Sequence, residues 1–317
     1  MQVGEKKEVL QTVSDNSCPV VFYNATLPAF TRGFLSNGNT DMIVAIGGGN
    51  AQFSTVMADY LYNERGYRKV FCFKQDTITG NNNVDPFVAC FEGMGGQVIS
   101  NTPVNQGTED WSQVLASVIN SDAEAIVGWT AGDEAIAFYK EWYNSGAYAK
   151  YPVFGTMSWG FTDSNIISEL SEEILNALIA TGLSVPVSYI YSIDSSENKA
   201  FMDALRRLLG YPGGILVRDD INMDIYLALK CFIKALDSVG PDAGAVSLAD
   251  AMRSVDFYGP SGHVFFEKGS TVPNKDIYIA TLRNPDGTPY YKLLKHYPEI
   301  PQFGLNYDGE DFAPVAD

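Results

Sequence analysis

Residues 70–100, VFCFKQDTITGNNNVDPFVACFEGMGGQVIS, decide how this chain is read. The run Val70–Phe73 has the apolar density of a buried strand. The next stretch holds Asp76, two threonines, Gly80 and three asparagines, and its composition predicts a polar turn. Val84, Phe87, Val88 and Phe91 then recur at helical spacing, Gly93, Gly95 and Gly96 stop the helix, and GQVIS begins a second strand. The whole is one βαβ unit. Its turn lacks the Gly-rich spacing of a phosphate loop, so the polar residues there await another ligand.

The same rhythm extends in both directions. Upstream, MIVAIG is a short strand, Phe53, Val56, Met57, Tyr60 and Leu61 form a helical face, and Gly66 stops it. Downstream, Trp111, Val114, Leu115, Val118 and Ile119 make a helix capped by Thr108 or Asp110, AEAIVGW is a strand, and Ile136, Tyr139, Trp142 and Tyr143 give a helix stopped at Gly146. YPVFGT and ALIATGL are expected as strands around a short helix near Ile166–Leu170. Strands alternating with helices at this spacing predict a parallel, doubly wound sheet. After residue 190 the pattern changes to helices at 200–209, 221–236 and 247–253. The strands GHVFFEKG, KDIYIATLRN and YYKLLKHYP follow, and an acidic, Pro- and Gly-containing tail is expected to lie extended.

Bulk properties narrow the function. At 317 residues two domains are expected. No run of about 18 apolar residues is present, so no membrane-inserted segment is expected. With 21 basic and 38 acidic residues the formal charge is −17, which argues against a nucleic-acid partner and against an anionic membrane surface. The four cysteines, Cys18, Cys72, Cys90 and Cys231, have no metal spacing and sit in apolar contexts, as buried thiols would. A disulfide between Cys72 and Cys90 is the alternative. Two histidines, His263 and His296, exclude a His-rich metal site. IGGGNAQF lacks the dinucleotide spacing, GTMSWG is not a nucleophile elbow, and no paired acidic constellation stands out, so neither a cofactor nor catalysis is expected. Asn, Thr, Ser and aromatic residues at the strand ends suit reversible contacts to a small molecule in a cleft.

From VVFYNATLPAFT to DIYIATLRN the chain resembles the substrate-binding proteins of branched-chain amino-acid and amide type ABC transporters, which have the type I periplasmic binding fold. The resemblance rests on four segments in order: YRKVFCFKQDTITGNNNVDPFVACFEGMGGQVI, GTEDWSQVLASVINSDAEAIVGW, EWYNSGAYAKYPVFGT, and VDFYGPSGHVFF with KDIYIATLRN. It implies an α/β fold of two Rossmann-like lobes with parallel sheets and a three-crossing hinge. The expected first lobe comprises residues 1–67 and 190–262, the second 68–189 and 263–304, and the tail 305–317. It further implies a periplasmic or extracytoplasmic location, a small-molecule ligand, and a membrane permease as partner. The family begins with a β-α-β-α-β segment before the strand that PVVFY resembles, so an incomplete first lobe, short by roughly 80–100 residues, is expected. A natively shorter lobe is the alternative.

By the same resemblance, Asn24, Ala25 and Thr26 form the first-lobe loop that meets the ligand, and Asn50 lies near the lobe boundary. Thr79 stands where the family has a ligand-facing Tyr. Trp129, Thr130, Ala131 and Asp133 form the next loop, Met157, Ser158 and Trp159 the one after, and Met223 opens a first-lobe helix. Each has a plainer role to weigh against it: a turn cap for Thr26, a cap of the helix or its loop for Asp76, loop packing for Trp159, and helix-terminus electrostatics for Asp133 and Glu134. Where amino-acid binders present a Glu to the ligand ammonium, this chain has Met157 or Ser158. A buried unpaired ammonium is costly. Either Asp133 substitutes, or the ligand lacks an α-amino group, as an aromatic or aliphatic carboxylate or an amide would. The competing functions are a ligand-sensing regulatory module of the same fold and an α/β enzyme.

Overall fold

The computed structural model describes residues 15, 19–22, 43–158, 160–162, 164–210, 219–284, 287 and 289–306. At its centre is a four-stranded parallel sheet in the order β4-β3-β5-β6, formed by β3 (Lys69–Gln75), β4 (Gln97–Val104), β5 (Ala125–Trp129) and β6 (Val153–Gly155). Helices α2 (Ile78–Gly93), α3 (Ser112–Ile119) and α4 (Asp133–Asn144) are the crossovers. After α5 (Ser164–Ser168) and α6 (Glu172–Thr181), strand β7 (Ser184–Val187) joins an antiparallel sheet with β10 (Lys275–Arg283) and β11 (Tyr290–Ile300). Two further pairs are the parallel β1 (Val20–Phe22) and β2 (Ile43–Ala45), and the hairpin of β8 (Asp256–Gly259) and β9 (Gly262–Phe265). Helices α7 (Ser196–Leu209), α8 (Asp219–Val239) and α9 (Ala245–Arg253) complete the order. The parallel α/β reading of residues 70–155 is what the chain forms.

Two hydrophobic cores are present among the described residues. The larger is aromatic: the Phe73 ring lies 5.0 Å from Trp111, 4.7 Å from Phe138 and 5.7 Å from Phe161, and Phe87 stacks on Phe91 at 5.4 Å. The smaller gathers Val44, Ile46, Tyr189, Phe201, Met223, Leu227, Cys231, Met252, Phe257 and Val264. The described chain passes between them three times, between Ile46 and Phe53, between Val187 and Phe201, and between Val264 and Ile277.

The first passage lies earlier than expected. Helix α1 (Asn50–Asp59) falls in the range 1–67 assigned to the first lobe, yet Phe53, Val56, Met57 and Leu61 sit in the larger core. The Gly47–Gly49 turn carries the chain out of the smaller core, and α1 is buried from Asn50 through Ala58. Its polar residues are bonded inward: Gln52 Nε2 donates to the carbonyls of Pro273 (3.0 Å) and Ile300 (2.7 Å), and Gly49 N–H donates to Gln52 Oε1 (2.7 Å). The start of the expected tail is also docked, because Leu305 N–H donates to Thr55 Oγ1 at 2.8 Å; residues 307–317 lie outside the described residues.

Two element assignments are corrected. ALIATGL is not a strand but the end of α6, whose Ile174, Leu175 and Leu178 form one buried helical face above Glu172 and Glu173, with Gly182 in the left-handed conformation as its stop (φ 77°). The polar turn after β3 is only Asp76 and Thr77. Thr77 caps α2 by accepting the Gly80 N–H (3.0 Å), so Thr79 to Asn83 are already helical. Asp110 Oδ1 accepts the Ser112 N–H at the start of α3 (2.9 Å), and the Asp76 side chain is exposed. Cys72, Cys90 and Cys231 are free, buried thiols.

Candidate functional site

Parallel strands with crossover helices place every following loop at one edge of the sheet. That edge carries Gln75 at the end of β3, Trp129 at the end of β5 with Thr130 after it, and Thr156 to Ser158 after β6. A cluster of hydrogen bonds ties the first two loops together. Gln75 Nε2 donates to Glu134 Oε2 (2.8 Å), the Thr130 hydroxyl donates to the same oxygen, and the Gly107 N–H donates to Oε1. Glu134 is buried, and each carboxylate oxygen already accepts a donor. Its neighbour Asp133 is exposed on the first turn of α4, where its charge complements the helix dipole.

A second cluster joins the starts of α1 and α2. Asn50 Nδ2 donates to Asn83 Oδ1 (2.9 Å), the Ser54 hydroxyl donates to the Asn83 carbonyl (2.7 Å), and Asn83 Nδ2 donates to the Thr79 carbonyl (3.0 Å). Gly80 makes the close approach possible, because a Cβ there would stand 1.9 Å from the Gln75 carbonyl oxygen. Thr79 is thereby buried at the strand edge. Beside these bonds, three buried polar atoms have no protein partner among the described residues: Asn50 Oδ1, Asn82 Nδ2 and Thr156 Oγ1. Buried polar groups are otherwise almost always satisfied, so these atoms are candidate partners for a polar ligand or water.

The expected residues divide accordingly. Asn50 and Thr79 are brought together through Asn83, and Thr130 is drawn to Gln75 through Glu134. Met157 is buried and Ser158 half-buried, its carbonyl accepting from the Thr162 N–H and hydroxyl, both at 3.1 Å. Ala131 is half-buried beside Gly160. Trp129 belongs to the larger core and Met223 to the smaller. Asn24, Ala25, Thr26 and Trp159 lie outside the described residues. The sequence reading did not count Gln75, Asn82, Asn83, Glu134 and Thr156 among the candidate residues of this edge. The run Asn81–Asn83 was the visible signal for two of them, whereas Glu134 was indistinguishable from a helix-terminus acid. No group of three potential metal ligands occurs among the described residues, and no described helix is long and apolar enough to cross a membrane.

A sequence profile described as periplasmic binding protein matches residues 5–288. The chain is 23% identical over 244 residues to Leu/Ile/Val-binding protein homolog 6 of Brucella melitensis, covering 76% of this chain and 60% of that protein. It thus spans about three fifths of the curated relatives it matches. Among solved structures, a solute binding protein of an ABC transporter from Rhodopseudomonas palustris, in complex with p-hydroxybenzoic acid, superposes with a TM-score of 0.78 at 20% identity, covering 94% of this chain and 77% of that one. A leucine binding protein from Thermotoga maritima gives 0.72 at 17% identity, over 92% of this chain and 76% of that one. The fold is therefore the mixed α/β architecture of type I periplasmic binding proteins, and the profile match over most of its length establishes that this chain belongs to the periplasmic binding protein family.

Proposed function

We propose that the protein is the extracytoplasmic solute-binding component of an ABC importer. It holds a small organic ligand between its two units, performs no chemistry on it, and delivers it to a membrane permease. We assign the described residues within 19–46 and 189–264 to one unit and those within 50–187 and 275–305 to the other. The ligand lies at the carboxyl edge of the parallel sheet. Thr79, Asn82, Thr130, Thr156, Met157 and Ser158 face it from the larger unit. Relatives of this architecture bind leucine in one case and p-hydroxybenzoic acid in another, so fold alone does not choose the ligand class.

The observation that carries the choice is the state of Glu134. It is the buried acid at this edge among the described residues, and its oxygens accept from Gln75, Thr130 and Gly107. An α-ammonium would have to share a carboxylate that already accepts three donors, and Asp133 is exposed. The amide of Asn82 and the hydroxyl of Thr156 instead offer uncharged partners to a carboxylate, phenol or amide. An aromatic or aliphatic carboxylate, or an amide, is the ligand class this arrangement favours.

A thermal-shift screen of 4-hydroxybenzoate, benzamide and leucine tests this. A ligand at about 100 times its dissociation constant adds about 2.7 kcal/mol to the folded state. Stabilisation by the acid or amide but not by leucine is expected. Stabilisation by leucine alone overturns the ligand class, and no response to any solute of the three classes overturns the binding function.

A further inference from the structure

The chain's only two histidines both lie where the two cores meet. The β8–β9 hairpin gives Phe257 and Val264 to the smaller core, while β10 and β11 give Ile277, Tyr278, Tyr297 and Ile300 to the larger. The hairpin turn sits directly on Asp276 of β10. Gly262 has φ 120°, and a Cβ there would stand 2.1 Å from Asp276 Oδ2, so glycine alone fits. Asp276 also accepts the Glu299 N–H (3.0 Å) and lies 2.8 Å from His296 Nε2, and the Tyr278 hydroxyl donates to the Ser261 carbonyl in the turn (2.7 Å).

His263 is held more tightly still. Its Nε2 is 2.7 Å from Asp256 Oδ1 on β8, and its Nδ1 is 2.8 Å from Glu299 Oε1 at the end of β11. A neutral imidazole carries one N–H. With carboxylate oxygens at both nitrogens, it would turn one lone pair against another; only the imidazolium donates to both. Tyr258 stacks on the ring at 4.7 Å and 13°, and Phe265 lies at 4.6 Å, faces that also favour a cation. Glu299 adopts a left-handed backbone (φ 53°), uncommon for a residue with a side chain, and is fixed there by Asp276 and His263.

The geometry points to a proton-dependent clasp: protonated His263, held between Asp256 of the hairpin and Glu299 of β11, fastens the junction of the two units, and its neutral form releases it. His296 on Asp276 is the neighbouring contact, and among the described residues Tyr258 and Tyr278 are the titratable groups stacked on the two rings. A second cross-link stands beside the clasp. Lys275 Nζ lies 2.6 Å from Asp224 Oδ1, joining β10 to α8, with the lysine side chain 1% exposed. The junction thus has a buried ion pair beside the histidine clasp.

The direction of the effect follows from linkage. Burial lowers the His263 pKa, but the hydrogen bonds to Glu299 and Asp256 outweigh it, and the net shift is upward. The clasp's contribution is therefore complete below the unfolded-state value of about 6.5. It is lost as pH rises through the raised folded value. Asp256 and Glu299 are 72% and 50% exposed, so salt weakens the effect.

The full chain can be tested without any solute. The Cε1–H resonances of the two histidines, assigned with His263→Gln and His296→Gln, give each pKa by NMR. Urea unfolding of wild type and His263→Gln is compared from about pH 6 to about pH 9. We expect His263 to titrate above about 6.5. The ratio of variant to wild-type unfolding constants should fall by about threefold or more as pH rises. Protection of the Glu299 amide, corrected for intrinsic exchange, should fall over the same interval. A His263 pKa at or below the ordinary value, or parallel pH profiles for the two proteins, overturns the clasp. The wild-type titration decides even if the variant does not fold.

Discussion

The two cores differ in how completely their helices are covered. In the larger, α1 is buried on every side from Asn50 to Ala58, and a ring cluster around Phe73 and Phe138 fills the space between sheet and helices. In the smaller, α8 buries Met223, Leu227, Cys231 and Ala235 along one stripe, while Leu229 and Ile233 are more than half exposed and Ile225, Tyr226 and Phe232 are about a third exposed. The difference teaches which unit is self-sufficient among the described residues. Covered apolar area contributes about 25 cal/mol per Å², so the larger unit carries most of the folding free energy and the smaller one is the more readily opened.

The largest expected effect probes the larger core. Phe73→Ala removes a ring held by Trp111, Phe138 and Phe161 and should cost about 4 kcal/mol. Phe257→Ala in the smaller core should cost at least about 1 kcal/mol less. Equal losses in chemical denaturation would break the comparison. Next comes the cross-link between the cores. Lys275→Met removes the cation beside the buried Asp224 carboxylate and should cost about 3 kcal/mol, with the smaller core melting at lower denaturant than the larger. A single, unshifted transition would show that the pair is not a cross-link.

Glu134→Gln places an amide NH₂ or a weaker acceptor before Gln75, Thr130 and Gly107. It should cost about 2 kcal/mol, measured by urea midpoint; a neutral result would mean that the acid is not held as the geometry shows. The thiols then report opening. Burial pushes Cys231 up to about 12 and holds Cys72 well above the ordinary thiol range, so neither alkylates while folded at neutral pH. Cys231 in the smaller core should label about tenfold faster than Cys72, a difference of about 1.4 kcal/mol in opening free energy. Faster labelling of Cys72 would reverse the order of stability. The smallest effect is at the exposed stripe: Leu229→Ser should change stability by no more than about 0.5 kcal/mol, and a loss above about 1 kcal/mol would mean that the stripe is covered.

The sequence by itself determined the architecture. Apolar runs bounded by Gly, helical stripes such as Val84, Phe87, Val88 and Phe91, and stops at Gly66, Gly95 and Gly146 are local signals, and the parallel sheet of β3 to β6 follows from their alternation. Only the tertiary structure decided the rest. Thr79 to Asn83 have the composition of a turn, yet they are helical because Asn83 finds Asn50 and Ser54 across the sheet edge. The residues 177–183 read as a strand from their apolar content, and the sheet had no place for them, whereas a helix buries Ile174, Leu175 and Leu178 together. The membership of α1 in the larger core, the hydrogen bond from Gln75 to Glu134, and the meeting of His263 with Glu299 were invisible for one reason. Each joins residues 29 or more positions apart, and periodicity reports the face a side chain takes but not which distant face it meets.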